Sequence, residues 1–259
     1  MAQIIQKIML FPLFLIKKML RFIFKPVFWF FQRPHIRCST PLMRLRESLV
    51  FNSREFMTGY AMEFVKECQV EGDYLEFGLY AGRGFSSAYH FAKFYGLKNM
   101  KFYGFDSFEG LPEIRGKDKN DFIHYHKGEY VYGLKKFIKK MKKEGLDFNS
   151  GRVTLIPGWY NKTLTKTTKD KLSIKKAAVV LVDCDLYEST VPVLDFITDY
   201  IQDGTILIFD DWFAFRGDPD KGEQRAFKEW LRKNPKFKAI EYYRHQWGMS
   251  FIMMVKGKR

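Results

Sequence analysis

Alternation between amphipathic stretches and short, continuously apolar runs organises the chain from about residue 48 onward. Residues 53–69, SREFMTGYAMEFVKECQ, repeat large apolar side chains at helical spacing, with Ser53 in the position of an N-cap. An apolar strand that ends at Glu76 then leads into the glycine-rich turn of LEFGLYAGRGF and a helix that begins near Phe85. A strand, a glycine loop and a helix in this order predict the first unit of a doubly wound sheet.

Four further apolar runs continue this pattern. KFYGFDSF predicts a second strand that ends at Asp106, and RVTLIPG, AAVVLVDCD and GTILIFDD predict three more, apolar throughout as in a sheet buried on both faces. The stretch KAIEYYRHQWGMSFIMMVKG contains two strand-like runs that reverse near His245 to Gly248. We therefore predict an α/β fold with a doubly wound, mostly parallel sheet and an antiparallel C-terminal edge.

Three carboxylates follow two of the predicted strands: Asp183 after one, and Asp210 and Asp211 after another. In sheets of this kind ligands bind beyond the carboxyl ends of the strands, so these side chains are candidates for a site. Neighbouring carboxylates disfavour one another's ionisation, and a divalent cation removes that cost. An all-oxygen set suits a hard ion such as Mg²⁺. The alternative is that the three aspartates are ordinary turn and helix N-cap residues.

The glycine loop that follows the first strand is a second candidate. Gly78, Gly82 and Gly84 allow the backbone to approach a ligand closely, and the next helix offers free N–H groups. The spacing is neither the dinucleotide fingerprint nor a P-loop, so the loop alone is equally compatible with a tight structural turn. Asp106, at the end of the second strand, can accept hydrogen bonds from both hydroxyls of a ribose. Together these features indicate an adenosyl ligand.

Charge is distributed unevenly along the chain. The net charge is +15, yet the first 46 residues hold nine Lys or Arg and no acid, so the remaining 213 residues carry only +6. Most of the excess therefore lies on one apolar, aromatic segment. This distribution favours an anionic membrane surface over a nucleic acid as the partner.

Residues 4–31, within that basic segment, are strongly apolar but interrupted by lysines and an arginine. Their uncharged stretches are shorter than the ~20 residues of a spanning helix, and no cleavage site of a secretory signal follows. We predict that residues 1–47 form a membrane-associating or docking segment and residues 48–259 the α/β domain. The alternative is a helix packed on the domain or on a second subunit. In the second case the protein would be a homo-oligomer.

Cys38, Cys68 and Cys184 lie far apart without a CxxC pair, which argues against a disulfide framework and a zinc site. A reducing compartment fits this pattern. Together with the basic segment, it predicts a cytoplasmic protein at the inner face of the membrane.

Five blocks of the sequence resemble one family. LEFGLYAGRGFSS, GFDSFEGLPE, VTLIPGWYNKTL, LVDCDLYEST and ILIFDDW have the order and spacing of the macrocin/mycinamicin-type sugar O-methyltransferases, and the resemblance covers roughly residues 48–255. It implies a class I methyltransferase domain that uses S-adenosylmethionine and a metal ion to methylate a hydroxyl of a sugar or glycan. A lipid-linked glycan would suit a membrane-attached enzyme.

The resemblance also implies roles for individual residues. The methionine side of the cofactor would be lined by Glu76, Gly78, Tyr80 and Gly82, the ribose by Asp106, the adenine side by Gly158 and Trp159, and Mg²⁺ would be held by Asp183, Asp210 and Asp211. More distant, catechol-type relatives place a lysine base three residues after the first metal aspartate. This chain has Leu186 there, so that role does not carry over.

The base that would deprotonate the acceptor is a separate question. His124 and His126, in the loop after the second strand, are the leading candidates, with Asp185 and His245 behind them. Two alternatives stay open: a membrane-attached binding protein that keeps the fold without turnover, and a methyltransferase for another acceptor. The presence of all three aspartates, Glu76 and Asp106 favours an enzyme.

Overall fold

A seven-stranded sheet is the centre of the protein. The computed structural model describes residues 54–119 and 125–257, so the basic N-terminal segment, Ser53 and His124 lie outside the described residues. The strands are β1 (Asp73–Phe77), β2 (Phe102–Asp106), β3 (Val153–Pro157), β4 (Ala177–Val182), β5 (Ile206–Phe209), β6 (Phe237–Arg244) and β7 (Met249–Val255).

The strand order is β3-β2-β1-β4-β5-β7-β6, with the first five strands parallel. β7 runs antiparallel between β5 and β6, and the chain reverses there through a hydrogen bond from the His245 N–H to the Gly248 carbonyl, 3.1 Å long. The predicted doubly wound sheet and its antiparallel C-terminal edge are both confirmed. The strand order reverses between β1 and β4, and the crevice at such a reversal is where these sheets bind ligands.

Seven helices accompany the sheet in the described part of the chain. They are α1 (Arg54–Glu67), α2 (Arg83–Phe94), α3 (Leu134–Lys143), α4 (Tyr160–Thr163), α5 (Lys166–Lys171), α6 (Tyr187–Ile197) and α7 (Gly222–Lys233). Because side chains alternate along each strand, the strands feed two apolar cores, one on each face. Helices α1, α2 and α3 close one core, and α6 and α7 close the other.

Tyr60 and Phe64 form an aromatic stripe along helix α1, but the helix buries a different face in the core. Met57, Ala61 and Met62 face the core, whereas Tyr60 is 40% exposed. The aromatic stripe packs instead on the edge strand β6, where the Tyr60 and Tyr243 rings lie 4.8 Å apart. Two apolar stripes on one helix therefore serve two different neighbours.

The loop between β2 and α3 is pinned at its middle by a buried carboxylate. Asp118 Oδ2 accepts from the Tyr187 N–H at 2.6 Å, at the first residue of α6. Its Oδ1 accepts from the Gly222 N–H at 3.3 Å, at the first residue of α7. The loop is thus tied to the two helices that follow β4 and β5.

Within the described residues, no helix combines the length and apolar character needed to cross a bilayer.

Candidate active site

The carboxyl ends of β1 and β4 meet at the reversal of strand order, and they meet very closely. The Asp183 N–H donates to the Phe77 carbonyl at 2.8 Å. Gly78 follows with φ +88°, and a Cβ at that position would lie 1.8 Å from the Asp183 carbonyl oxygen. Only glycine fits here, because both the positive φ and the missing side chain are needed.

Asp183, Asp210 and Asp211, which we call the aspartate group, come together as the strand pattern predicts. Each offers a carboxylate oxygen, and these oxygens lie within 4.8 Å of one another. Adjacent parallel strands cause this arrangement, since β4 and β5 pair in register and the Asp210 N–H donates to the Val182 carbonyl at 3.0 Å. The donor set has the all-oxygen chemistry that a hard divalent cation requires.

Arg54, in the first turn of α1, supplies a positive charge to this group. Its Nη1 donates to Asp183 Oδ2 in a short contact and to Asp210 Oδ2 at 2.9 Å. Burial by itself would lower the pKa of Arg54, but the two aspartates raise it well above its usual value. The guanidinium therefore stays charged. Sequence reasoning missed this residue.

The three aspartates do not ionise equally. Burial, followed by repulsion from the other two, raises the pKa of Asp183 well above its usual value, although Arg54 opposes the change. Burial acts on Asp210 too, yet Arg54 and His245 lower the pKa of that residue. Burial and the nearby Asp210 raise the pKa of Asp211 to about 6. Asp210 thus has two cationic or hydrogen-bonding neighbours, Arg54 and His245, that favour its ionised form.

Further polar side chains surround Asp211. The Tyr125 hydroxyl donates to its Oδ1 at 2.9 Å, and Glu223 Oε2 accepts from its N–H at 3.1 Å. Asp185 lies close to Tyr125 and Asp211, and its backbone has φ +62°, unusual for a residue with a side chain. Burial first, and then Asp211 and Asp183, raise the pKa of Asp185 well above its usual value.

His245 lies on the other side of the aspartate group. Its Nδ1 accepts from the Trp247 N–H at 3.3 Å, which assigns the proton of a neutral ring to Nε2. That Nε2 lies 3.4 Å from Asp210 Oδ1, and the ring is buried. The imidazole is therefore arranged to support the Asp210 carboxylate.

The leading candidates for the base are placed differently. The side chain of His126 is exposed, and the backbone N–H of the same residue donates to Glu129 Oε2 at 2.8 Å. None of the contacts described for His126 reaches the aspartate group. His124 lies outside the described residues, so both histidines stay predictions.

Glu76 is a buried acid at the end of β1, only 1% exposed. The Tyr74 hydroxyl donates to its Oε2 at 2.5 Å, and a Cβ on Gly84 would lie 2.9 Å from its Oε1. Burial raises the pKa of Glu76 to about 8, although Arg54 and the Tyr74 hydrogen bond work against it. Glu76 thus lies beneath the start of α2, close to Arg54.

Asp106, at the end of β2, shapes the glycine loop directly. Its Oδ2 accepts from the N–H groups of Leu79 and Tyr80 at 2.6 and 3.1 Å, and its Oδ1 accepts from the Phe108 N–H at 2.6 Å. The Gly158 N–H donates to the Asp106 carbonyl at 2.8 Å, which brings the end of β3 alongside. The carboxylate keeps further lone pairs for a ligand hydroxyl. Gly78, Asp106, Gly158 and Trp159 therefore lie along one rim.

Most of the chain is similar to one known protein family. Residues 45–234 match the family described as Macrocin-O-methyltransferase (TylF). The chain is 31% identical over 159 residues to 8-demethyl-8-(2,3-dimethoxy-alpha-L-rhamnosyl)-tetracenomycin-C 4'-O-methyltransferase of Streptomyces olivaceus, a match that covers 59% of this chain and 58% of that protein. It is 25% identical over 147 residues to mycinamicin III 3''-O-methyltransferase of Micromonospora griseorubida, covering 55% and 56%. The chain thus spans less than two thirds of either relative.

Solved structures show the same fold. The O-methyltransferase NovP superposes with a TM-score of 0.66 at 21% identity, covering 78% of this chain and 79% of NovP. The calicheamicin methyltransferase CalS11 gives 0.63 at 22% identity, covering 83% and 87%. At this level of identity the likeness establishes the fold: a class I methyltransferase sheet.

Proposed function

The chain belongs to the macrocin-O-methyltransferase (TylF) family, and we propose that it transfers a methyl group from S-adenosylmethionine to a hydroxyl oxygen of a sugar or glycan. The observation that carries the proposal is the aspartate group, whose carboxylate oxygens lie within 4.8 Å of one another beside the glycine loop. A sugar acceptor is supported by the Streptomyces olivaceus relative, which is named for a rhamnosyl compound.

The cofactor would occupy the rim formed by β1, β2 and β3. We assign the methionine side to Glu76, Gly78, Tyr80 and Gly82, the ribose to Asp106, and the adenine side to Gly158 and Trp159. Two features of the loop support this assignment. Gly78 and Gly82 both have positive φ, and Asp106 holds the loop at the reversal of strand order.

Asp183, Asp210 and Asp211 would hold the metal ion. A bound Mg²⁺ would lower the pKa of an acceptor hydroxyl and fix that oxygen in place. The chain's own part is to present carboxylate oxygens of the right chemistry on two adjacent strands. Asp211 is kept in place by Tyr125, whose hydroxyl lies 2.9 Å from its Oδ1.

We propose Asp185, in its ionised form, as the group that accepts the proton of the acceptor hydroxyl. A cation bound to the aspartate group would favour that form, because it opposes the repulsion from Asp211 and Asp183 that raises the pKa of Asp185. Asp185 is the carboxylate two residues beyond Asp183, in a strained left-handed conformation at the same rim. His245 is less suited, because its Nε2 carries the proton and faces Asp210 at 3.4 Å. Asp185→Asn should therefore lower the rate of transfer while leaving cofactor binding unchanged.

The transfer itself can be tested with purified full-length protein, labelled S-adenosylmethionine, Mg²⁺ and a set of sugars and glycans. Asp210→Ala should reduce the rate by on the order of 100-fold, because the acceptor oxygen loses its electrostatic activation. Cofactor affinity, measured by calorimetry, should stay the same. Asp195→Ala, an exposed aspartate on α6, is the matched control.

Two results would contradict parts of the proposal. Full activity after EDTA treatment would exclude the metal role, and cofactor binding without transfer to any tested hydroxyl would favour a binding protein with this fold.

We also propose that residues 4–31, within the segment 1–47, attach the enzyme to the inner face of the membrane, where a lipid-linked glycan would be accessible. The support is the run of lysines interleaved with aromatic residues. Flotation with anionic liposomes should carry the full chain upward but not a chain lacking residues 1–33. Equal flotation of both forms would refute membrane attachment through this segment.

A further inference from the structure

Arg54 contacts the same carboxylates that are proposed to hold a metal ion. One nitrogen, Nη1, reaches the Oδ2 atoms of both Asp183 and Asp210. These two aspartates come from different strands, so the guanidinium bridges the ends of β4 and β5. No other arginine or lysine of the described residues forms an ion pair with the aspartate group.

A divalent ion and this guanidinium exclude each other. Asp183 and Asp210 would hold a Mg²⁺ ion through their carboxylate oxygens, the same kind of atom that Arg54 contacts. Nη1 already lies at hydrogen-bond distance from an oxygen of each, and like charges that close repel strongly in a partly buried site. An ion that uses these two Oδ2 atoms therefore has to displace Arg54.

The structure allows this movement without unfolding the helix. The next residue, Glu55, is buried and pairs with Arg83 at the start of α2, which anchors the first turn of α1 separately. The Thr58 hydroxyl donates to the Arg54 carbonyl at 3.1 Å, so the backbone of Arg54 is held as well. The Arg54 side chain keeps 20% of its surface exposed, so it is not enclosed on all sides by the described residues.

We propose that Arg54 is an exchangeable counter-ion, which keeps the aspartate group compensated when no metal is bound and must be displaced by the divalent ion. Arg54 thereby sets the metal affinity of the site. This inference rests on the proposed metal site. It adds a residue outside the carboxylate set that weakens metal binding while stabilising the metal-free protein.

Calorimetric titration of EDTA-treated, dialysed full-length protein with Mn²⁺ tests the exchange. Arg54→Gln should tighten the dissociation constant about tenfold or more, since the ion no longer competes with a fixed positive charge. The dissociation constant of Arg54→Lys, which keeps the charge, should be closer to that of the wild type. Lys66→Gln makes the same charge change on the same helix at an exposed position away from the site, and should have little effect.

A dissociation constant for Arg54→Gln equal to or weaker than that of the wild type would overturn the proposal. So would a tightening that persists in Arg54→Gln combined with Asp210→Ala, because the gain must come through the aspartate group. If no variant binds Mn²⁺, the exchange and the metal role both fail, and transfer activity in EDTA then shows whether the methyltransferase function survives without them.

Nitrogen-15 NMR of the arginine side chains in the wild type provides a test that does not depend on how a variant folds. Adding Mg²⁺ should move the Arg54 guanidinium resonance toward that of a solvated arginine, whereas the resonance of Arg83, whose pairing with Glu55 persists, should stay in place. An Arg54 resonance that does not change at saturating Mg²⁺ would contradict displacement of Arg54.

Discussion

Asp106 and the aspartate group lie on the same rim of the sheet, yet their charges are compensated in different ways. Asp106 accepts three backbone N–H groups of its own neighbourhood. The aspartate group instead depends on a guanidinium from a distant helix. The charge of the first carboxylate is compensated once its loops have formed, and a lone pair stays free for a ligand hydroxyl. The aspartate group brings together more carboxylates than the described cations pair with, which is the property that a cation site needs.

The largest effect is expected from Gly78→Ala, because Gly78 lies between Asp106 and the aspartate group. Its Cβ would meet the Asp183 carbonyl oxygen at 1.8 Å. We expect a loss of about 4 kcal/mol or more in the free energy of unfolding, measured by urea denaturation. Gly128→Ala is the matched control, since Gly128 also has positive φ but a Cβ there meets nothing within 4 Å. It should cost about 1 kcal/mol.

A similar loss in both variants would show that backbone conformation, and not the contact with Asp183, sets the requirement at position 78.

An effect of comparable size is expected from the pH dependence of the metal-free protein. The pKa of Glu76 is about 8 in the folded protein and 4.5 in its ordinary state, so folding favours the protonated acid. This contribution to stability is complete below pH 4.5 and is lost as pH rises toward 8, at about 1.4 kcal/mol for each unit of pKa difference. Stability in EDTA should therefore fall across this range.

Glu76→Gln should make the fall in stability less steep, because the amide cannot ionise and its oxygen still accepts from Tyr74, while the raised pKa of Asp211 leaves part of the slope in place. Glu63→Gln, an exposed position on α1, should leave the slope as it is. A wild-type profile that is flat between pH 5 and pH 8, read from melting curves, would mean that Glu76 is already ionised in the folded protein.

The smallest changes in the free energy of unfolding are expected for Asp106→Asn and Asp211→Asn, and these two changes have opposite signs. Asp106→Asn should destabilise the protein by about 2 kcal/mol, since it weakens the hydrogen bonds that shape the glycine loop. Asp211→Asn should stabilise the metal-free protein at pH 8 by about 1 kcal/mol, because it removes a charge from a crowded group and keeps the acceptor for Tyr125. Urea denaturation in EDTA measures both, with Asp195→Asn as the control.

If Asp211→Asn were destabilising to the same extent as Asp106→Asn, the aspartate group would be fully compensated without a metal ion.

Much of the fold could be predicted from the sequence because apolar runs report directly on buried strands. The five parallel strands and the reversal at residues 245–248 all form where the pattern predicts them. Helix α1 was harder to interpret. Its aromatic stripe is more conspicuous than its core-facing stripe, but Tyr60 and Phe64 pack on the tyrosines of β6, a contact that sequence spacing does not encode.

The site was predictable to the extent that strand ends define it. Asp183, Asp210 and Asp211 follow adjacent strands, so their proximity is a consequence of topology. Arg54 was missed because it begins a helix 129 residues before Asp183, and nothing in its local sequence marks it. Tyr125 was missed for a similar reason, since it reaches Asp211 from a loop whose path no periodic pattern reveals.

The distance along the chain between Arg54 and its partners also has a consequence for synthesis. Asp210 follows Arg54 by 156 residues. A ribosome working at about 15 residues per second needs on the order of ten seconds to make that stretch. During that interval α1 exists without the full pair of acids that its first residue contacts. Arg54 can meet Asp183 once β4 has emerged, but its bridge between the two aspartates forms only after β5 has emerged, among the last events in building this rim.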